Sequence, residues 1–344
     1  MKRLFLILLL LVTAVSACGS DEPEVITLMS HDSFAISEVT IAAFEEKYGV
    51  TVELLPSGDT GAALNQAILA KDAPLADVFF GVDNTFMGRA LTAEIFEPYN
   101  SPLLAEIPDD LELDAENRLL PVDFGDVCLN YDKAWFAEND LPLPPSLAAL
   151  TDPVYEGLLV VQNPATSSPG LAFLLATIAE FGEDGYLDFW ADLRANGLLV
   201  TNGWEEAYYG SFTVASDGER PLVVSYASSP PAEVIFADPP VDEAPSASLV
   251  ASGMCYRQIE FVGILTGTEK RELAEKLVDF ILGQTFQEDM PLNMFVYPAN
   301  ENAELPEAFV AWTQVPEETA VLAPGKIDAN REQWIEAWTE TVLR

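Results

Sequence analysis

The chain has 344 residues, beyond the size at which a single hydrophobic core stops growing, so two domains or lobes are expected. Its 56 acidic residues against 16 basic ones, a net charge of −40, argue against nucleic acid and anionic ligands and favour cations, which the summed field steers in. The single histidine, His31, rules out a histidine-rich metal site and a Ser–His–Asp triad with spare parts, and no P-loop or dinucleotide fingerprint is present.

In chain order, Met1-Lys2-Arg3 and then Leu4 to Val12 read as the basic and apolar regions of a signal peptide, too short to remain as a membrane span. They end in Val15-Ser16-Ala17-Cys18, which resembles the bacterial lipobox. On that reading residues 1–17 are a lipoprotein leader, Cys18 is the lipidated mature N-terminus, and 18–24 are a tether on the outer side of the cell membrane. Removing Cys18 leaves Cys128 and Cys255, an even pair in an exported protein, each in a strand-like run, so a disulfide is expected. Two buried free thiols, or a catalytic thiol, are the alternatives.

From Val25 the pattern alternates. Val25–Met29, Val50–Leu55 and Asp77–Phe80 read as strands, with amphipathic helices over Phe34–Tyr48 and Ala62–Lys71 between them. This predicts βαβ units and a parallel sheet covered on both faces, with ligands beyond the carboxyl ends of the strands. After the loop-rich stretch Asn84–Leu119 comes a long extended run, Leu120–Tyr131, which opens a second α/β pattern. A strand at Leu158–Val161, helices at Leu171–Phe181 and Gly185–Asn196, and strands at Leu198–Thr201 and Leu222–Tyr226 follow. Cys255–Leu265 is again long and extended, before helices at Lys270–Leu282 and Asn330–Leu343. The two long runs are expected to be crossover strands joining two lobes: 25–122 with 259–344, and 123–258.

Two stretches invite a chemical reading. In Gly58-Asp59-Thr60-Gly61 the Asp59 carboxylate either caps the following helix or accepts from an amino group on a ligand. In Gly203-Trp204-Glu205-Glu206-Ala207-Tyr208-Tyr209, Trp204 and Tyr208 share one helix face, with Tyr209 turned away from it. That face is either core or an electron-rich wall for a flat cation.

Together with Asp32-Ser33-Phe34, Gly81-Val82-Asp83-Asn84, Val122-Asp123-Phe124-Gly125, Asn163 to Leu171, Ser225-Tyr226-Ala227-Ser228-Ser229-Pro230 and Tyr297-Pro298, these stretches resemble the thiamine-binding lipoproteins of ABC importers. The similarity runs over nearly the whole mature chain. It implies the two-lobed α/β fold of type II periplasmic binding proteins, with a ligand cleft between the lobes. It also implies that Asp59, Thr60, Ser167, Ser168, Trp204, Tyr226, Ala227, Ser228 and Ser229 line that cleft, with His31, Asp32, Tyr208 and Phe295 beside them. The ligand would be thiamine or its monophosphate, with no further cofactor and no metal. The partners would be the importer's permease and ATPase, the membrane through Cys18, and no nucleic acid; a monomer is expected. Three departures from the family pattern thin the aromatic cage: His31 stands where a Tyr is common, Phe295 where a Trp is, and Ala232 where a Tyr is. Two rivals stand beside this reading. One is a ferric-ion binder of the same fold using Tyr208-Tyr209; the other is a thiaminase-like enzyme with Cys128 as nucleophile.

Overall fold

Eleven strands form one mixed sheet in the computed structural model, which describes residues 23–344 and so leaves the leader, Cys18 and most of the tether outside. In chain order they are β1 (Glu24–Ser30), β2 (Val50–Pro56), β3 (Val78–Asp83), β4 (Phe96–Glu97), β5 (Leu120–Asp132) and β6 (Leu159–Gln162). Then come β7 (Leu199–Thr201), β8 (Leu222–Tyr226), β9 (Ser246–Leu249), β10 (Tyr256–Leu265) and β11 (Tyr297–Pro298). The sheet runs β2-β1-β3-β10-β5-β8-β6-β7, with β4 added to β10 and both β9 and β11 added to β5.

Two parallel groups flank an antiparallel centre. β2, β1 and β3 are parallel in one lobe and β8, β6 and β7 in the other, joined by the long antiparallel strands β5 and β10. β3 is buried at every position, which is why it reads as an unbroken apolar run rather than an alternating one. The register Tyr256↔Val127 sets Cys128 beside Cys255, with Cα atoms 4.4 Å apart, and the two are joined by a disulfide.

Local chemistry sets the helix limits. The first helix begins at Glu38 and not at Phe34, because the Ser37 hydroxyl accepts from the Thr40 amide and caps it there. The two helices expected over 171–196 are both present within Ser168–Ala195, separated by a kink at Gly182, whose φ of 72° and ψ of 172° suit glycine alone. Trp190 of that stretch meets Trp338 of the terminal helix Pro324–Val342 edge to face at 5.5 Å. Among the described residues no helix is long and apolar enough to cross a membrane.

The topology brings the carboxyl ends of β1, β2 and β3 opposite those of β6, β7 and β8. The loops at 31–33, 58–60, 163–168, 202–204 and 227–229 therefore face one another across the crossover strands.

Candidate functional site

A cavity of about 290 Å³ lies between these loops. One side carries His31, Ser33, Asp59 and Thr60; the other carries Ser168, Trp204, Tyr208, Tyr226 and Ser229. Phe295 closes it from the segment before β11.

Asp59 ties the two sides together. Its Oδ1 accepts from the amide of Thr60 at 2.7 Å and from that of Ser168 at 3.2 Å, while Oδ2 accepts from the Trp204 amide at 3.0 Å. Capping and bridging are both made by one carboxylate. Ser168 also donates its hydroxyl to Asp83 at the end of β3. The backbone closes in as well: the Gly61 amide donates to Thr166 O at 3.1 Å, and a Cβ at position 61 would lie 2.9 Å from Ala165 O. Only glycine fits there.

The aromatic wall is built in layers. Trp204 stacks on Tyr208 with centroids 4.8 Å apart, and Tyr209 stands edge-on to Trp204 at 5.5 Å. Trp204 Nε1 donates to Ser225 Oγ at 2.9 Å, and that hydroxyl in turn lies 2.9 Å from Ser229 Oγ. The indole is thereby held in one orientation, with Tyr208 behind it. Tyr208 is buried and donates its hydroxyl to Glu233 at 2.7 Å. Burial, with the charge of Glu233, pushes its pKa well above the ordinary phenol value.

Carboxylates supply the charge. Burial pushes Asp59 above the ordinary carboxylate range, opposed by the Trp204 amide and by Ser167 and Ser168. Asp83 is pushed up to about 6, chiefly by burial, against the hydrogen bonds from Thr85 and Phe86. Glu205 borders the cavity and is raised by burial and by Asp32. Glu260 of β10 forms part of the floor and is pushed up to about 8 by burial and by the charge of Asp83. His31 Nε2 stands 3.4 Å from Glu260 Oε1, and burial lowers the imidazole pKa. Among the described residues no lysine or arginine lines the cavity.

Of the thirteen expected site residues, nine line this cavity and four do not. Ser167 and Ser228 are buried behind the wall, and Ala227 packs against the disulfide. Asp32 is exposed and does not line the cavity. The sequence reading missed Phe236, Glu260, Asn293 and Met294. Glu260 left a signal, a charge inside the apolar run Ile259 to Leu265. Phe236 left another, one helical turn beyond Ala232.

A profile of the family described as bacterial extracellular solute-binding protein matches residues 73–316. The thiamine-binding periplasmic protein of Brucella suis is 30% identical over 340 residues, covering 95% of each chain. That of Escherichia coli is 30% identical over 328 residues, covering 93% of this chain and 94% of its own. Among solved structures, a periplasmic thiamin binding protein superposes with a TM-score of 0.83 at 29% identity, covering 95% of this chain and 98% of that one. A ferric binding protein from Campylobacter jejuni has a TM-score of 0.74 at 17% identity, a likeness of fold alone. The chain belongs to the bacterial extracellular solute-binding protein family.

Proposed function

We propose that the protein binds thiamine in the cleft and delivers it to an ABC importer. The observation that carries this reading is the cavity's composition: a Trp204–Tyr208 stack flanked by Asp59, Glu205 and Glu260, with no lysine or arginine on the lining among the described residues. A permanently charged thiazolium gains from an aromatic face and from nearby carboxylates. An aminopyrimidine supplies donors and acceptors for Asp59, Ser168 and Ser229. The thiamine-binding names of relatives at 30% identity support the same ligand. A phosphate would meet carboxylates and no cation, so free thiamine is the preferred form and the monophosphate a weaker one.

The two-lobe division that goes with this function places 25–122 with 259–344, and 123–258 apart from them. Cys18 is the proposed lipid anchor, which keeps a monomeric binding protein near the importer's permease and ATPase on the outer face of the membrane. A purely binding role is favoured because Cys128 is bonded to Cys255, leaving no thiolate for nucleophilic cleavage of thiamine. Tyr208, the first of the two tyrosines a ferric ion would need, is buried with its hydroxyl engaged by Glu233, which favours thiamine over iron.

Thermal-shift and calorimetric titration with thiamine, its monophosphate and ferric ion test the reading. Thiamine is expected to raise the melting temperature most, and Trp204→Ala to weaken it by about tenfold or more. A stabilisation by ferric ion with none by thiamine overturns the assignment.

A further inference from the structure

Glu260 faces Asp123 across β5 and Asp83 across β3, in register on both sides. Asp123 is fully buried, and among the described residues no group but the carboxyl of Glu260, with which it can share a proton, reaches its carboxyl oxygens as a hydrogen-bond partner. His31 Nε2, at the cavity wall 3.4 Å from Glu260, has no hydrogen-bond partner among the described residues. Two buried carboxyl groups side by side, with no cation between them among the described residues, cannot both ionise.

The groups around the pair are accounted for element by element. His31, after β1, is kept neutral by burial. Asp59, after β2, is engaged by three amides. Asp83, on β3, is held by Thr85, Phe86 and Ser168 and feels the charge of Arg331 on the terminal helix. Tyr226, at the end of β8, is kept a neutral phenol by burial and by Glu260. None of them brings a full positive charge to the floor.

We propose that the Asp123–Glu260 pair is a proton-holding subsite at the cleft floor, which releases a proton to solvent as the cationic ring of the ligand enters. The carboxyl O–H bond breaks, the proton passes to water, and the carboxylate remains to face the thiazolium. Positive charge is exchanged in the cleft rather than added to it. Glu260 is the member that borders the cavity, so it is the one that meets the ring. Such a floor also discriminates between ligands, because an uncharged one gains nothing from the exchange. This inference rests on the thiamine reading above.

Calorimetric titration of the mature protein with thiamine, near neutral pH in two buffers of different ionisation enthalpy, counts the protons. Roughly one proton released per thiamine is expected. The affinity is expected to rise as pH approaches about 8 and to level off above it. In Glu260→Gln the release is expected to fall to near zero and the affinity at the upper end to drop by about tenfold. Binding heat that is the same in both buffers overturns the inference and leaves the thiamine reading standing. Absence of any thiamine binding overturns both. The two-buffer count on the unaltered protein decides the matter even if the variant does not fold.

Discussion

Asp59 does two jobs with one side chain. Its oxygens receive the Thr60 amide at 2.7 Å, the Ser168 amide at 3.2 Å and the Trp204 amide at 3.0 Å, so helix capping and lobe bridging are coupled in one group. Each amide bond to a charged acceptor contributes about 1.5–3 kcal/mol. Asp59→Asn preserves size and capping ability but turns one acceptor into a donor that faces an amide hydrogen. The expected result is a loss of thiamine affinity of about tenfold by titration calorimetry, with a fall of only a few degrees in the melting temperature of the unliganded protein, from the one amide bond that is lost. Unchanged affinity removes Asp59 from the site; a large fall in melting temperature makes it a structural residue first. The sequence pointed to Asp59 because a short acid before a helix has few roles. It did not show that both roles are filled at once, since Ser168 and Trp204 are more than a hundred residues away and meet it only through the sheet order.

The short helix Pro230–Ile235 shows how an element repairs what a single position lacks. Ala232 faces the cavity with no ring, and one turn later Phe236 lines the same cavity, edge-on to Phe295 at 5.8 Å. Phe295 has a φ of 55°, uncommon for an aromatic residue and typical of a functional position. Phe236 is 67% exposed, so its ring contributes little to folding and is free to cover a ligand. Phe236→Ala is expected to lower thiamine affinity by about three- to tenfold at unchanged melting temperature. No change in affinity would leave the cage as thin as the sequence suggests. The major elements were legible because their patterns are strong: the apolar run of β3, the long extended β5 and β10, and the helices on either side of Gly182. β4, β9 and β11 were not. They have two to four residues each and exist only because a long neighbour offers an open edge, which no local pattern records.

At the scale of the whole molecule, both the disulfide and the buried acids sit on the two strands that join the lobes. Cys128–Cys255 ties β5 to β10 across a sequence separation of 127 residues. Reduction, or Cys128→Ser with Cys255→Ser, is expected to cost about 2–5 kcal/mol and to lower the melting temperature accordingly. An unchanged melting curve in reductant would mean that the crossing is held by its packing alone.

The same region makes stability depend on pH in an unusual direction. Asp59, Asp83 and Glu260 all have pKa values raised in the folded state, to about 6 for Asp83 and about 8 for Glu260. A group raised on folding binds its proton more tightly in the native state, so its stabilisation is present at low pH and is lost as pH climbs through the folded value. The net charge of −40 acts in the same direction, because raising the pH deepens self-repulsion in a compact chain. The unliganded protein is therefore expected to melt several degrees higher near pH 5 than near pH 8. Glu260→Gln separates the two causes: it leaves the surface charge nearly untouched but cannot ionise at the floor, so the slope between these pH values should flatten. If the variant keeps the full slope, Glu260 does not contribute to it, and the acidic surface with Asp59 and Asp83 accounts for the dependence.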